Sequence, residues 1–247
     1  MQYRDPFYNY STVSQSKSYD LGLRAYMLKI YNYMASALAL TGVVALLAAN
    51  SEAFMNAMYV ASPNGSVGMS GLGWLIAFAP LGLVLWLSFG IQRMSVSTAQ
   101  GVFWLYAGLV GLSLSSIFLV YTGASIARVF FITAGTFGAM SLYGYTTKKD
   151  LSGFGSFLLM GLIGIIIASI VNIFLASSGL QFAISVIGVL IFVGLTAYDT
   201  QKLKSMYYQV SGSSEVMAKS SIMGALTLYL DFINMFIYLL RFFGDRK

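Results

Sequence analysis

Hydrophobic positions in this chain fall in long unbroken blocks, without the alternation of a half-buried strand or the one-sided stripe of a surface helix. Each block is about as long as a helix that crosses a bilayer core of ~30 Å at ~1.5 Å per residue. The blocks predict seven segments, at about residues 28–50, 72–92, 98–121, 125–147, 153–176, 180–204 and 219–243. Polar punctuation divides them: a Pro63-Asn64-Gly65 turn after the first, Arg93 closing the second, and Thr122-Gly123 after the third. Lys148-Lys149-Asp150 follows the fourth. Between Asp150 and Asp199 stand 48 uncharged residues, enough for two helices, and Ser177-Ser178-Gly179 breaks them.

The seventh block departs from the pattern. The string SSIMGALTLYLDFINMFIYLL between Lys219 and Arg241 carries one charge, Asp231, as the twelfth of its 21 residues. An acid near the bilayer midplane costs several kcal/mol, so it should face protein or water and needs a partner. The candidate partner is Asp199, in AYDTQKLK at the end of the sixth block. Depth argues against contact: Asp199 is three residues from Lys202, ~5 Å from the interface if that Lys marks it, whereas Asp231 lies ~18 Å from Lys219. A sixth helix that continues past Lys204 to about Val210, with Lys202 and Lys204 snorkelling, closes the gap, and that extension is predicted.

Residues 1–24 are polar, rich in Tyr and Ser and without a signal-type apolar core, and are expected to form a flexible cytosolic tail. Composition agrees with the blocks: 58% of residues are hydrophobic and 9% charged, and mean hydropathy is +0.77. With no Cys and no His, thiolate or imidazole metal sites and Ser-His or Cys-His catalysis are excluded, and neither an enzyme nor a bound cofactor is expected. The net charge of +6 comes from basic residues scattered at segment ends, which fits loop topology better than nucleic acid. With the N-terminus in the cytosol, ten of the 14 Lys and Arg lie inside, and Arg128, Arg241, Arg246 and Lys247 lie outside. Three of those four crowd the C-terminus, so a seventh segment that re-enters instead of crossing is the alternative to seven full spans.

Small residues recur at four-residue spacing in Ala35 and Ala39, Gly135 and Ala139, and Gly164 and Ala168, a pattern that permits close helix approach. Asn172 in the fifth segment and Asn234 in the seventh are candidate interhelical hydrogen-bonding groups. Asn234 is three residues after Asp231 and shares its helix face.

The strings LYLDFINMFIYLLRFFG, AYDTQKLK and NIF (Asn172 to Phe174) together resemble the Bax inhibitor-1 family in its short bacterial form. The resemblance covers the membrane part in order and spacing. It implies an all-α membrane protein in which the seventh helix is central and wrapped by the other six. It also implies a pH-sensitive calcium leak whose sensor is an aspartate pair, here Asp199 and Asp231, with Tyr198 beside it. An arginine that latches the segment-six acid maps onto Arg93. A glutamate that some members carry midway along the second segment has no counterpart, since the region reads APLGLVLWLSFG around Gly82. The expected place is the cytoplasmic (inner) membrane of a bacterium.

The chemistry of the residues is compatible with that function. Two carboxyls in a low-dielectric site resist double ionisation and titrate as one unit. A shared proton would make a hydrogen-bonded plug; its loss would separate the acids and leave an anionic site. Asp199 and Asp231 could then hold calcium transiently, because that ion takes oxygen ligands only. An intramembrane aspartyl protease would need GLGD and PAL motifs, which the chain lacks, and a retinal protein would need a Lys inside the seventh segment. The stronger rival is a non-transporting regulator that binds a membrane-bound AAA protease or another membrane complex, as some bacterial members of the family do.

Overall fold

The computed structural model describes the backbone of residues 7–61 and 67–247, and side chains of residues 21–60 and 68–247. The first helix, α1, is Phe7–Ala49. It begins within the stretch expected to be a flexible tail, so from Phe7 onward that stretch is helical backbone; Pro6 precedes the helix and no proline follows to interrupt it. Residues 1–6 lie outside the described residues. A short α2 (Glu52–Met58), capped by the Ser51 hydroxyl accepting from the Phe54 N–H, leads into a hairpin of β1 (Tyr59–Ala61) and β2 (Val67–Met69). The strands pair antiparallel with Tyr59 opposite Met69, and the expected Pro63-Asn64-Gly65 turn falls outside the described residues.

Six further helices or helix pairs complete the chain. They are α3 (Gly71–Gly90), α4 (Val96–Leu114) with its short continuation α5 (Ile117–Val120), α6 (Gly123–Thr146), α7 (Ser152–Leu175), α8 (Ser178–Val210) and α9 (Ser214–Phe243). Among the described residues seven rods are long and apolar enough to cross a membrane, α1 contributing from Leu21 and α4 with α5 counting as one. Side-chain caps start most of them: Ser70, Ser95, Thr122, Ser177 and Ser213 each accept from the backbone N–H three residues on.

One helix departs from the sequence expectation and another meets it, each in an informative way. The third segment is interrupted at Ser115 and Ser116, whose hydroxyls donate to the Leu112 and Ser113 carbonyls at 2.7 and 3.2 Å. Such back-bonding offers the chain an alternative to the helical ladder. The sixth segment does continue through Lys202 and Lys204 to Val210, and the Lys204 ammonium donates to the Tyr145 carbonyl at 2.8 Å.

The packing has a clear inner side. α9 makes its main contacts with α1, α4, α6 and α8, and its Leu226, Leu228, Tyr229, Met235 and Leu240 are almost completely buried. α3 leans chiefly on α4, and α7 on α8. On these two outer rods large apolar side chains face outward, with Phe89 and Phe174 each 83% exposed. A water-soluble monomer does not carry an apolar surface this extensive, whereas lipid tails accept it without cost. The small-residue pairs expected at helix contacts do not sit there. Ala35, Ala39, Gly135 and Ala139 are exposed, and neither Gly135 nor Gly164 has an atom near where a Cβ would go. Close approach occurs instead at Gly144, Gly155, Gly188 and Gly224.

The C-terminus closes one face. Asp245 pairs with Arg128 at 2.7 Å, its N–H donates to the Ser125 hydroxyl, and Arg246 bridges to Tyr121. The end of α9 therefore meets the turn between α5 and α6, opposite the α6–α7 loop that carries Lys148 and Lys149.

Candidate functional site

Asp231 is placed by α9 on the side turned to α8, where it is 4% exposed. Its Oδ2 is the one buried side-chain nitrogen or oxygen among the described residues without a hydrogen-bond partner. Asp199 comes from α8 and is half-buried. Because α8 continues to Val210, Asp199 stands eleven residues, ~16 Å, from the end of its helix, deep enough to share a site with Asp231. The two carboxyl groups face one cavity and are close enough to interact electrostatically. Two carboxylates offer only acceptors, so a bond between them requires a proton on one.

Both acids line one cavity of about 660 Å³ among α3, α7, α8 and α9. Tyr198 and Asn234 line it as well. The Asn234 amide donates to the Leu230 carbonyl at 2.8 Å, which leaves its side-chain oxygen as an acceptor. The cavity also gathers residues that the sequence reading did not assign to the site: Thr227, Lys202 and Tyr238. Their spacing was available, since Thr227 and Tyr238 are four before and seven after Asp231, on the same helix face. Lys202, one turn beyond Asp199, is its nearest charge of opposite sign, and its ammonium lies 5.8 Å from the Tyr198 ring centre. Its flexible stem can bring that charge toward the cavity or away to the interface.

Arg93 and Asn172 stand apart from this cavity. Arg93 is exposed past the end of α3, in a groove with Trp86, Phe89 and Met94, and makes neither of the two ion pairs found among the described residues. Asn172 is at the far end of α7, where its Oδ1 accepts from the Ser177 N–H at 3.0 Å and helps turn the chain into α8. Among the described residues no group of three or more His, Cys, Asp and Glu side chains gathers to hold a metal ion. The side-chain oxygens of the cavity's lining residues include the two carboxyls, the Asn234 amide and the hydroxyls of Thr227 and Ser156.

Tight helix contacts fix the pair from behind. Gly144 of α6 abuts the Ala197 carbonyl, and Gly155 of α7 lies under the Tyr198 ring. Thr200 bonds back to the Thr196 carbonyl and to Ser141, which in turn shares a 2.6 Å hydrogen bond with Tyr31 of α1. A line of hydroxyls thus ties α8 at the level of Asp199 to α6 and α1.

Comparison with known proteins places the chain in a family. The family model for inhibitor of apoptosis-promoting Bax1 matches residues 23–247. The chain is 56% identical over 237 residues to protein RP147 of Rickettsia prowazekii, covering 96% of each chain. It is 54% identical over 227 residues to the inner membrane protein YbhL of Escherichia coli (strain K12), covering 92% of this chain and 94% of that one. It is 34% identical over 226 residues to the membrane protein SpyM3_0260 of Streptococcus pyogenes, covering 91% and 94%. The seven apolar rods and the match across nearly the whole chain make this protein a member of the Bax inhibitor-1 family.

Proposed function

We propose that the protein is a pH-sensitive leak for a cation, with calcium as the permeant ion, gated by Asp199 and Asp231. The observation that carries this reading is the buried, unpartnered Oδ2 of Asp231 beside a second acid in a cavity large enough for several waters. While one proton is shared, the carboxyls hold each other and the path between α8 and α9 is closed. When that proton leaves, two like charges at close range in a medium of low dielectric repel by several kcal/mol. The pair then parts and offers oxygen ligands to a hard cation, with Asn234, Thr227 and water completing its shell.

The ion is a passing occupant in this scheme. Two carboxylates and a few neutral oxygens make a weaker site than a closed calcium cage, and a conducting site must release what it binds. Lys202, near Asp199, competes for the same negative charge and keeps occupancy brief. No reaction is catalysed and no cofactor takes part.

The name of the Escherichia coli relative supports placement in a bacterial inner membrane. The excess of Lys and Arg on the face of Lys148, Lys149 and Lys204 supports a cytosolic N-terminus.

Calcium efflux from liposomes containing the purified protein, followed across pH, tests the gate. The wild type should leak faster as pH rises through the titration of the pair, and Asp231→Asn should lose that dependence. If Asp231→Asn retains it, the gate is wrong. A folded wild type that leaks at no pH would favour the regulator that binds a membrane protease.

A further inference from the structure

The cavity that holds the two acids is not alone on its seam. A second cavity of about 540 Å³ lies further along α7, α8 and α9, toward the face where the chain ends, and Ser169, Asn172, Gln181 and Arg241 line it. The two are in register on all three helices. On α7, Ile166 lines the first and Ser169, one turn on, the second. On α9, Tyr238 lines the first and Arg241, again one turn on, the second. On α8, Phe192 lines the first and Ile184 the second, with Gly188 midway.

The ring of Tyr238 lines the first cavity and packs against Gly188, midway between the two on α8. It stacks on Phe192 with centroids 5.9 Å apart at 26°. The ring lies flat against Gly188, where a Cβ would come within 2.8 Å of it. A larger residue at position 188 would leave the ring no seat. The Arg241 guanidinium lies 5.8 Å from the same ring, on the side of the second cavity.

We propose that Tyr238, seated on Gly188 and stacked on Phe192, is the barrier between two halves of one conduit, distinct from the carboxyl pair. This rests on the leak reading for its purpose but not for its geometry. A cation that passes the acids meets an aromatic plug, and passage requires the ring to leave Gly188. Beyond it, the positive charge of Arg241 faces the second cavity and disfavours cation entry from that end.

The chain has no Cys, so single cysteines report access cleanly. Thr227→Cys marks the acid-lined cavity and Gln181→Cys the other. A charged, membrane-impermeant thiol reagent is applied to the C-terminal face of the full-length protein in sealed proteoliposomes. Gln181→Cys should react and Thr227→Cys should not. Adding Tyr238→Ala should make Thr227→Cys reactive from that face, and adding Gly188→Ala, which displaces the ring without removing it, should do so too. Tyr238→Phe, which keeps the ring, should leave it protected.

Reaction of Thr227→Cys from that face with Tyr238 intact overturns the barrier. So does continued protection in a folded Tyr238→Ala or Gly188→Ala protein. Calcium efflux measured on the cysteine-free protein and on its Tyr238 and Gly188 variants, without the reporter cysteines, separates this from the gate. Reactivity that follows Tyr238 with no calcium leak would remove the leak and keep the barrier; a pH-dependent leak with reactivity indifferent to Tyr238 would do the reverse.

Discussion

Gly144 of α6 lies so close to the carbonyl of Ala197 on α8 that a Cβ there would overlap the oxygen. The obstacle is backbone and cannot rotate away. Gly144→Ala should therefore push α6 from α8 and cost about 1–3 kcal/mol, as overpacking does. The control is Gly135→Ala on the same helix, where a Cβ meets open space and replacing a helical glycine should be neutral or stabilising by about 0.5–1 kcal/mol. Thermal unfolding of both variants in detergent checks the contrast. Because Ala197 precedes Asp199 by two residues, Gly144→Ala should also disturb the acid pair, and its leak should lose part of its pH dependence.

The hydroxyl of Thr41 on α1 donates to the Ala107 carbonyl of α4 at 2.8 Å and accepts from the Tyr229 hydroxyl of α9 at 2.6 Å, all within the core. Thr41→Val keeps the shape but strands the buried Tyr229 hydroxyl, for an expected loss of about 1–3 kcal/mol. Tyr229→Phe removes the donor and leaves Thr41 bonded to Ala107, so it should cost less, about 0.5–1.5 kcal/mol. Unfolding measurements that give the two variants the reverse order would mean that this contact does not join the three helices.

Much of the architecture is legible in the sequence. Seven spans follow from the length of the apolar blocks, and Asp231 draws attention because it is the lone charge in such a block. Why the reading stops there is physical. In a water-soluble helix periodicity tells inside from outside, but here the faces turned to lipid and to protein are both apolar. Gly135 and Gly164 therefore looked no different from Gly144 and Gly188, and only the structure separates them. The serine break at Ser115 and Ser116 was hidden for a related reason, since hydroxyls that bond back to carbonyls are common within membrane helices and do not usually end them. Thr227, Lys202 and Tyr238 were missed as members of the cavity because they are ordinary residues made special by the acids opposite.

Arg93, which the resemblance to the family marks as a latch, is exposed in a groove with Trp86 and Phe89. Arg93→Gln should leave the pH profile of calcium efflux where it is in the wild type. A shift of that profile would mean that the guanidinium reaches Asp199 in another state of the protein.

Asp150 opens α7 from the α6–α7 loop. Its carboxyl accepts from the Ser152 N–H at 2.9 Å and from the Ser152 hydroxyl, and these bonds hold it below the usual carboxylate range. A group depressed on folding stabilises the protein above its unfolded value of about 4 and ceases to do so as pH falls through its folded value. Asp150→Asn should thus lower the unfolding temperature slightly at pH 7, and the difference from wild type should shrink as the medium is acidified toward pH ~3.

Infrared difference spectroscopy of the membrane-embedded protein reads the proton on the buried pair directly. A protonated carboxyl has a carbonyl stretch distinct from that of a carboxylate. That band should be present at low pH, vanish over the interval in which calcium efflux rises, and be lost or displaced in both Asp199→Asn and Asp231→Asn. A spectrum with no protonated-carboxyl band anywhere in that interval, or with one unchanged in both variants, would contradict a shared proton between Asp199 and Asp231 as the gate.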